Sequence, residues 1–375
     1  MKRILARVVR AFDYLATILL AGVVVWVGYF HYYADYDSAL IILSLVLGGI
    51  VSSALCAAFH ELGHVVFGSI CGFRFNSVRI GFVNICRREG KICCRMGRLP
   101  ESLAGVTEML PTGREHLYEK FLVTICGGPV FSLLFLAGCI ASIVFFRSLP
   151  FAAYIFLCTA MPYAFHILFY NVMPFRDDDL DTDGAMICGL IRRETSYLTA
   201  VNILAIEGYM YQGATPSEID KSLYFGLPQL PEDDINFIVL TSYRLMYFLD
   251  AGDDRSAVSA SDRLEGLLEY VPELYKKEIG ADILYCNCAL RRDEKKSNEL
   301  YPSLRQYLLG ENTVRTHRIA AAYELYIRKD KRKALLELNA AEQKAETCVV
   351  SGERKFERKL LGTLRKEIVT EHYTE

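Results

Sequence analysis

Hydrophobic and polar positions fall into two regimes that meet near residue 200. Before it lie four apolar stretches: residues 14–30 ("YLATILLAGVVVWVGYF"), 39–70, 121–146 and 151–174. Each approaches or exceeds the roughly 20 residues of helix that cross a hydrocarbon core, so four spans are predicted. The first carries no small-residue cleavage site, which predicts a retained span and not a signal peptide. After residue 200 the apolar positions recur at helical spacing between short polar breaks. Amphipathic helices are predicted near 233–249, 254–270, 273–291, 296–309, 312–328, 331–347 and 353–370. "TPSE", residues 215–218, reads as an N-cap followed by Pro at the first helical position.

A third pattern separates the second and third spans. "FRFNSVRIGFVNI" (73–85) alternates apolar and polar residues, "RREGK" supplies a turn at Gly90, and "ICCRMGRL" (92–99) resumes the alternation. This predicts a β-hairpin, with a further short strand in "LAGVTEML" (103–110). The free edge of such a sheet can pair with an extended peptide. The expected fold is therefore mainly α. It comprises a polytopic membrane protein with about four transmembrane helices and a cytoplasmic membrane-associated β-hairpin, followed by a soluble all-α helical-hairpin domain. Residues 1–200 form the first domain and 210–375 the second. "AAYELYIRKDKRKALLELNAAEQ" (320–342) is similar to a tetratricopeptide (TPR) hairpin, and stacked hairpins offer a groove to a protein partner. A bundle that only stabilises the membrane domain is the competing reading.

Charge orients the spans. Lys2, Arg3, Arg7 and Arg10 precede the first, and Arg74, Arg79, Arg87, Arg88, Lys91, Arg95 and Arg98 fill the segment between the second and third. By the positive-inside rule both segments are cytoplasmic, so four crossings leave the N-terminus and the C-terminal domain in the cytoplasm of a multi-pass cell-membrane protein. A net charge of -2 from 42 basic and 44 acidic residues gives no reason to expect a nucleic-acid partner. Twelve cysteines scattered through spans and helices are expected as free thiols in a reducing compartment. Cys86, Cys93 and Cys94 lack the spacing of a metal site.

The chemistry concentrates in "AAFHELGHVVFG", residues 57–68, where His60, Glu61 and His64 interrupt the second span. Ionisable groups inside a span are costly and usually functional. On a helix, residues i and i+4 share a face, so both imidazoles can bind one zinc ion while Glu61 acts as general base on its water. A catalytic zinc normally takes a third protein ligand. The aspartates of "NVMPFRDDDLDTDGAMI" (171–187), where the fourth span ends, are the candidates. His166, five residues before Asn171, points about 140° away from it on the helix and is expected to be a hydrogen-bonded core residue.

H-E-x-x-H in a span, followed about a hundred residues later by N-x-x-P (Asn171 to Pro174) and D-G (Asp183-Gly184), resembles the site-2 protease family of intramembrane zinc metallopeptidases. Gly127-Gly128-Pro129 is similar to that family's G-P element, and the resemblance spans residues 40–190. It implies zinc (Zn2+) held by His60, His64 and an aspartate, Glu61 as general base, and Asn171 holding the substrate backbone. The implied substrate is a transmembrane or membrane-associated protein or peptide, cut near the bilayer surface. The family spacing points to Asp179, which Leu180 follows; Asp183 is followed by glycine, which permits a tight turn against the metal-binding helix, and is the ligand chosen. Asp179 is the alternative. Where the family often carries Asn after the G-P element, this chain has Ser132. Two other functions compete: a catalytically inactive membrane-anchored adaptor whose helical repeats bind a partner, and a zinc endopeptidase of prenylated proteins, whose glutamate ligand pattern is absent here.

Overall fold

A computed structural model describes residues 2–33, 35–88, 91–96, 105–145, 149–175, 181–271 and 273–370. The chain divides into two compact units, one made largely of residues before Glu194 and one largely of those after it. The described residues are mostly helical, with one small antiparallel sheet.

Four helices of the first unit are long and apolar enough to cross a membrane: α1 (Lys2–Gly28), α2 (Ser38–Ile70), α3 (Leu117–Phe145) and α4 (Phe151–Val172). Their outward faces display Ile18, Leu19, Ile42, Leu134 and Phe145, the surface that a hydrocarbon solvent requires. Lipid would offer no hydrophobic drive between such helices, and close packing and polar contacts are what the structure places between them. Gly48, Ser52 and Cys56, one turn apart on α2, face α4: Gly48 lies against Thr159, the Ser52 hydroxyl pairs with that of Thr159 at 2.8 Å, and Cys56 Sγ donates to the Ala160 carbonyl at 3.5 Å. Between α2 and α3 the approach is closer still. A Cβ on Gly63 would stand 2.2 Å from the Gly127 carbonyl oxygen, and one on Gly127 would stand 2.3 Å from that of Gly63. Only two glycines let these backbones touch.

His166 has a partner that the sequence pattern did not name. Its Nδ1 lies 2.7 Å from Asp13 Oδ2, and the Asp13 side chain is 2% exposed. Tyr14 stacks on the same imidazole, Phe12 packs on Phe169, and Arg10 lies over the Phe175 ring, so α1 grips the end of α4.

The sheet is ordered β3-β2-β1-β4, with β1 at Phe73–Ile80, β2 at Val83–Arg88, β3 at Lys91–Met96 and β4 at Gly105–Pro111. The expected hairpin is corrected here: "FRFNSVRIGFVNI" is not one strand but two. Ile80 pairs with Val83, Arg79 with Asn84 and Val78 with Ile85, leaving Gly81 and Phe82 as a two-residue turn. Gly81 has φ +55°, which glycine adopts without a steric penalty and which suits the first central position of such a hairpin. Gly90, the expected turn residue, lies outside the described residues.

A short helix α5 (Asp183–Ile191) completes the first unit. From Glu194 on, the second unit is built of helices among the described residues: α6 (Thr195–Tyr211), α7 (Lys221–Phe225), α8 (Ile235–Ala251), α9 (Asp254–Leu267), α10 (Glu273–Cys286), α11 (Glu294–Glu311), α12 (Val314–Tyr326), α13 (Lys331–Thr347) and α14 (Ser351–Thr370). From α8 on, these match the amphipathic pattern closely, and α12 and α13 pack together across a four-residue turn. Thr215 and Glu218 form a reciprocal capping box, but over a single 3-10 turn. Inside this unit Arg318 and Glu357, each with a side chain 2% exposed, form a two-pronged ion pair at 2.6 and 3.2 Å. All twelve cysteines are free thiols.

Removing one partner of a polar pair strands the other, here the buried Asp13 carboxyl or the partly buried His166 imidazole. Asp13→Ala is expected to destabilise the detergent-solubilised protein by about 1–2 kcal/mol in thermal unfolding. Asp13→Leu combined with His166→Leu should recover much of that loss; equal losses in single and double variants would deny the pair.

Candidate metal centre

The site is assembled from three helices. His60 and His64, on successive turns of α2, are presented to α3 at the glycine crossing, where the backbones are too close for larger residues. Gly128, one residue past that crossing, faces the imidazoles. A Cβ there would lie 2.4 Å from His64 Nε2 and 2.7 Å from His60 Nε2. The two adjacent glycines thus do different jobs: Gly127 admits a backbone and Gly128 leaves room between the imidazoles. Pro129 follows, and without an N–H it withholds one helical hydrogen bond from the same turn.

Asp183 arrives from the far side. After α4 the chain returns through Thr182, whose buried hydroxyl reaches the Met173 carbonyl at 2.7 Å and accepts from the Ala185 N–H at 3.2 Å. Thr182 is therefore the N-cap of α5, and Asp183 is the first residue of its first turn, where the helix dipole favours a carboxylate. Gly184 was expected to allow a tight turn against the metal-binding helix. It does not: it sits in α5 against the end of α4, where a Cβ would fall 2.1 Å from the Val172 carbonyl oxygen. The glycine is needed to dock α5 on α4, and that docking carries Asp183 to the histidines. Asp179, the alternative ligand, lies outside the described residues.

Three atoms converge. His60 Nε2 and His64 Nε2 are 3.3 Å apart, and Asp183 Oδ2 lies 3.1 Å from the first and 3.4 Å from the second. A tetrahedral ion with ligand bonds of 2.0–2.1 Å separates its ligands by about 3.4 Å. Protonation sharpens the match. His64 Nδ1 lies 3.0 Å from the Thr124 carbonyl oxygen, which only accepts, so Nδ1 carries the proton and neutral Nε2 bears a lone pair. His60 Nδ1 lies 2.9 Å from the Ser132 hydroxyl, which can accept in the same way. Asp183 Oδ2 is buried without a hydrogen bond of ordinary geometry. Three lone-pair donors aimed at one point repel each other, and a cation among them removes the repulsion. These residues fit a metal ion.

Electrostatics agrees. Burial would raise the Asp183 carboxyl, but when a proton on the His60 and His64 imidazoles takes the place of an ion, their bonds and charge outweigh burial and hold the group at about 2. Positive charge at this point, on the imidazoles or on a metal, keeps Asp183 a carboxylate throughout the neutral range.

Of the residues singled out in the sequence, His60, His64 and Asp183 come together. Glu61 is buried beside them but turned toward β4, where the Thr107 hydroxyl donates to its Oε2 at 2.6 Å. Asn171 stays on α4, its Nδ2 donating to the Ile167 carbonyl at 2.9 Å. Ser132 holds a ligand by hydrogen bonding, which a side chain shorter than the expected Asn still manages. Thr107, Thr182 and the Thr124 carbonyl were not found from the sequence. Of these only Thr182 left a signal, as a capping residue three before Ala185.

No protein-family model matches the chain, and no curated protein and no solved structure matches it.

Purified protein is expected to bind one divalent ion per chain, and His60→Ala, His64→Ala and Asp183→Ala each to lose it in elemental analysis. Gly128→Ala should lose it too, with helical circular dichroism unchanged. Metal retained by Asp183→Ala would remove α5 from the site.

Proposed function

We propose that this chain is an intramembrane zinc metalloendopeptidase of the site-2 protease type, cutting a transmembrane or membrane-associated protein or peptide near the cytoplasmic membrane face. The observation that carries the reading is the convergence of Asp183, from α5, on His60 and His64, which lie inside a helix apolar enough to cross a membrane and flank Glu61. Zinc favours two imidazoles and a carboxylate in tetrahedral array with one position open.

A zinc ion held there supplies a Lewis acid and makes water more acidic. The chain does the rest. His60 and His64 are fixed in the ligating tautomer by Ser132 and the Thr124 carbonyl, and Asp183 closes the site from α5. Glu61 takes the proton of the attacking water and returns it to the departing amide nitrogen. Asn171, at the end of α4, offers an amide to the substrate backbone when it swings from the Ile167 carbonyl. The apolar helices exclude bulk water, so these polar groups act at low dielectric.

The basic residues at the start of α1 and those between α2 and α3 favour a cytoplasmic N-terminus and a cytoplasmic second unit in the cell membrane. That unit's helical pairs, α12 with α13 foremost, support a TPR-like surface for a substrate or regulator.

Glu61→Gln keeps the shape of the base and removes its function. Comparison of membrane proteomes from cells carrying wild type and Glu61→Gln is expected to show fragments ending in or beside a hydrophobic segment that vanish in the variant. Identical proteomes would overturn the protease reading. Activity that persists in metal-free protein would favour the adaptor.

A further inference from the structure

Strand β4 brings to Glu61 a hydroxyl that the chemistry above does not call on. Side chains alternate along a strand, so Gly105, Thr107 and Met109 share one face of β4. That face runs along α2. Thr107 Oγ1 donates to Glu61 Oε2 at 2.6 Å, and two turns further along the helix the Met109 side chain covers Gly68. The Glu61 carbonyl oxygen, 3.4 Å from the same hydroxyl, is too far to compete for its single proton. On the other side of the carboxylate is bare backbone: a Cβ on Gly105 would stand 2.5 Å from Glu61 Oε1 and 2.7 Å from Cγ. The opposite face of β4 is tied down separately. Glu108 accepts from Ser77 at 2.7 Å and Asn76 at 3.3 Å, and pairs with Arg79 at 3.7 Å, all on β1.

A buried carboxylate next to a three-ligand cation has two fates. It can remain a base, or it can become the fourth ligand and close the open position. Coulomb attraction in a dry site favours the second. A short charge-assisted hydrogen bond opposes it. We propose that Thr107 is a positioning residue that holds the Glu61 carboxylate off the metal, as a base and not a ligand. This rests on the metal-site reading above, and its test does not depend on a substrate.

The probe is Co2+, titrated into the full-length protein in detergent, with the visible absorption band reporting coordination. Thr107→Val removes the hydroxyl and keeps the shape; Thr107→Ser restores the hydroxyl. Thr107→Val is expected to shift the band and bind Co2+ about tenfold tighter, comparable in size and opposite in sign to the 10–100-fold losses that follow removal of groups supporting metal ligands. Thr107→Ser should match wild type. With Glu61→Ala already present, Thr107→Val should change nothing, because the partner it releases is gone. An unchanged band and affinity in Thr107→Val would overturn the proposal, as would an equal change with and without Glu61. If the cycle closes on Glu61 while wild type and Glu61→Gln give identical membrane proteomes, the protease reading falls and the Thr107 assignment stands. Failure of wild type to take up Co2+ overturns both.

Discussion

Backbone contact between Gly63 and Gly127 is the constraint on which the first unit turns. Two helices that pass this closely present their flanking residues to each other at fixed depth and angle. His60 and His64 flank one glycine; Thr124, Gly128 and Ser132 flank the other. Each imidazole therefore meets an oxygen on α3 at Nδ1 and turns Nε2 toward Asp183. A side chain at either crossing position would separate the helices and unmake both hydrogen bonds at once. The H-E-x-x-H spacing places two nitrogens on one face of α2, but the glycine crossing turns them into lone pairs aimed at one point.

The third donor depends on a second close contact of the same kind. Gly184 rests on the carbonyl end of α4, and Thr182 caps α5 while reaching back to Met173. Asp183 is thus carried on a short helix braced against a span, not on a loose acidic loop. Asp13 and His166 fasten α1 to the same end of α4. The two histidines and the aspartate, 119 residues apart at their closest in sequence, are each held by a helix whose neighbour admits only glycine at the contact.

Much of this could be read along the chain, for physical reasons that differ by element. Spans and amphipathic helices declare themselves by local periodicity, and α8 to α14 follow it almost residue for residue. H-E-x-x-H declares itself because charge in an apolar run demands an explanation. The helix α6 escaped because "TSYLTAVNILAIEGYMY" is apolar on nearly every side and shows no stripe. The alternation through "FRFNSVRIGFVNI" concealed a turn, because Gly81 and Phe82 preserve the polar-apolar rhythm while reversing the chain. Contacts between distant residues left no trace at all. Nothing local marks Asp13 as the partner of His166, Thr107 as the partner of Glu61, or Gly184 as a docking point for α4. Asp183 was chosen for its glycine, and the glycine proves to serve a different contact.

Two imidazoles and a carboxylate sharing one ion are the centre of the proposed chemistry. Zinc K-edge absorption of the zinc-loaded full-length protein tests this most directly. It should show four nitrogen or oxygen neighbours at about 2.0–2.1 Å, with outer-shell scattering from two imidazoles. A first shell containing sulfur, or a spectrum with no imidazole scattering, would contradict it.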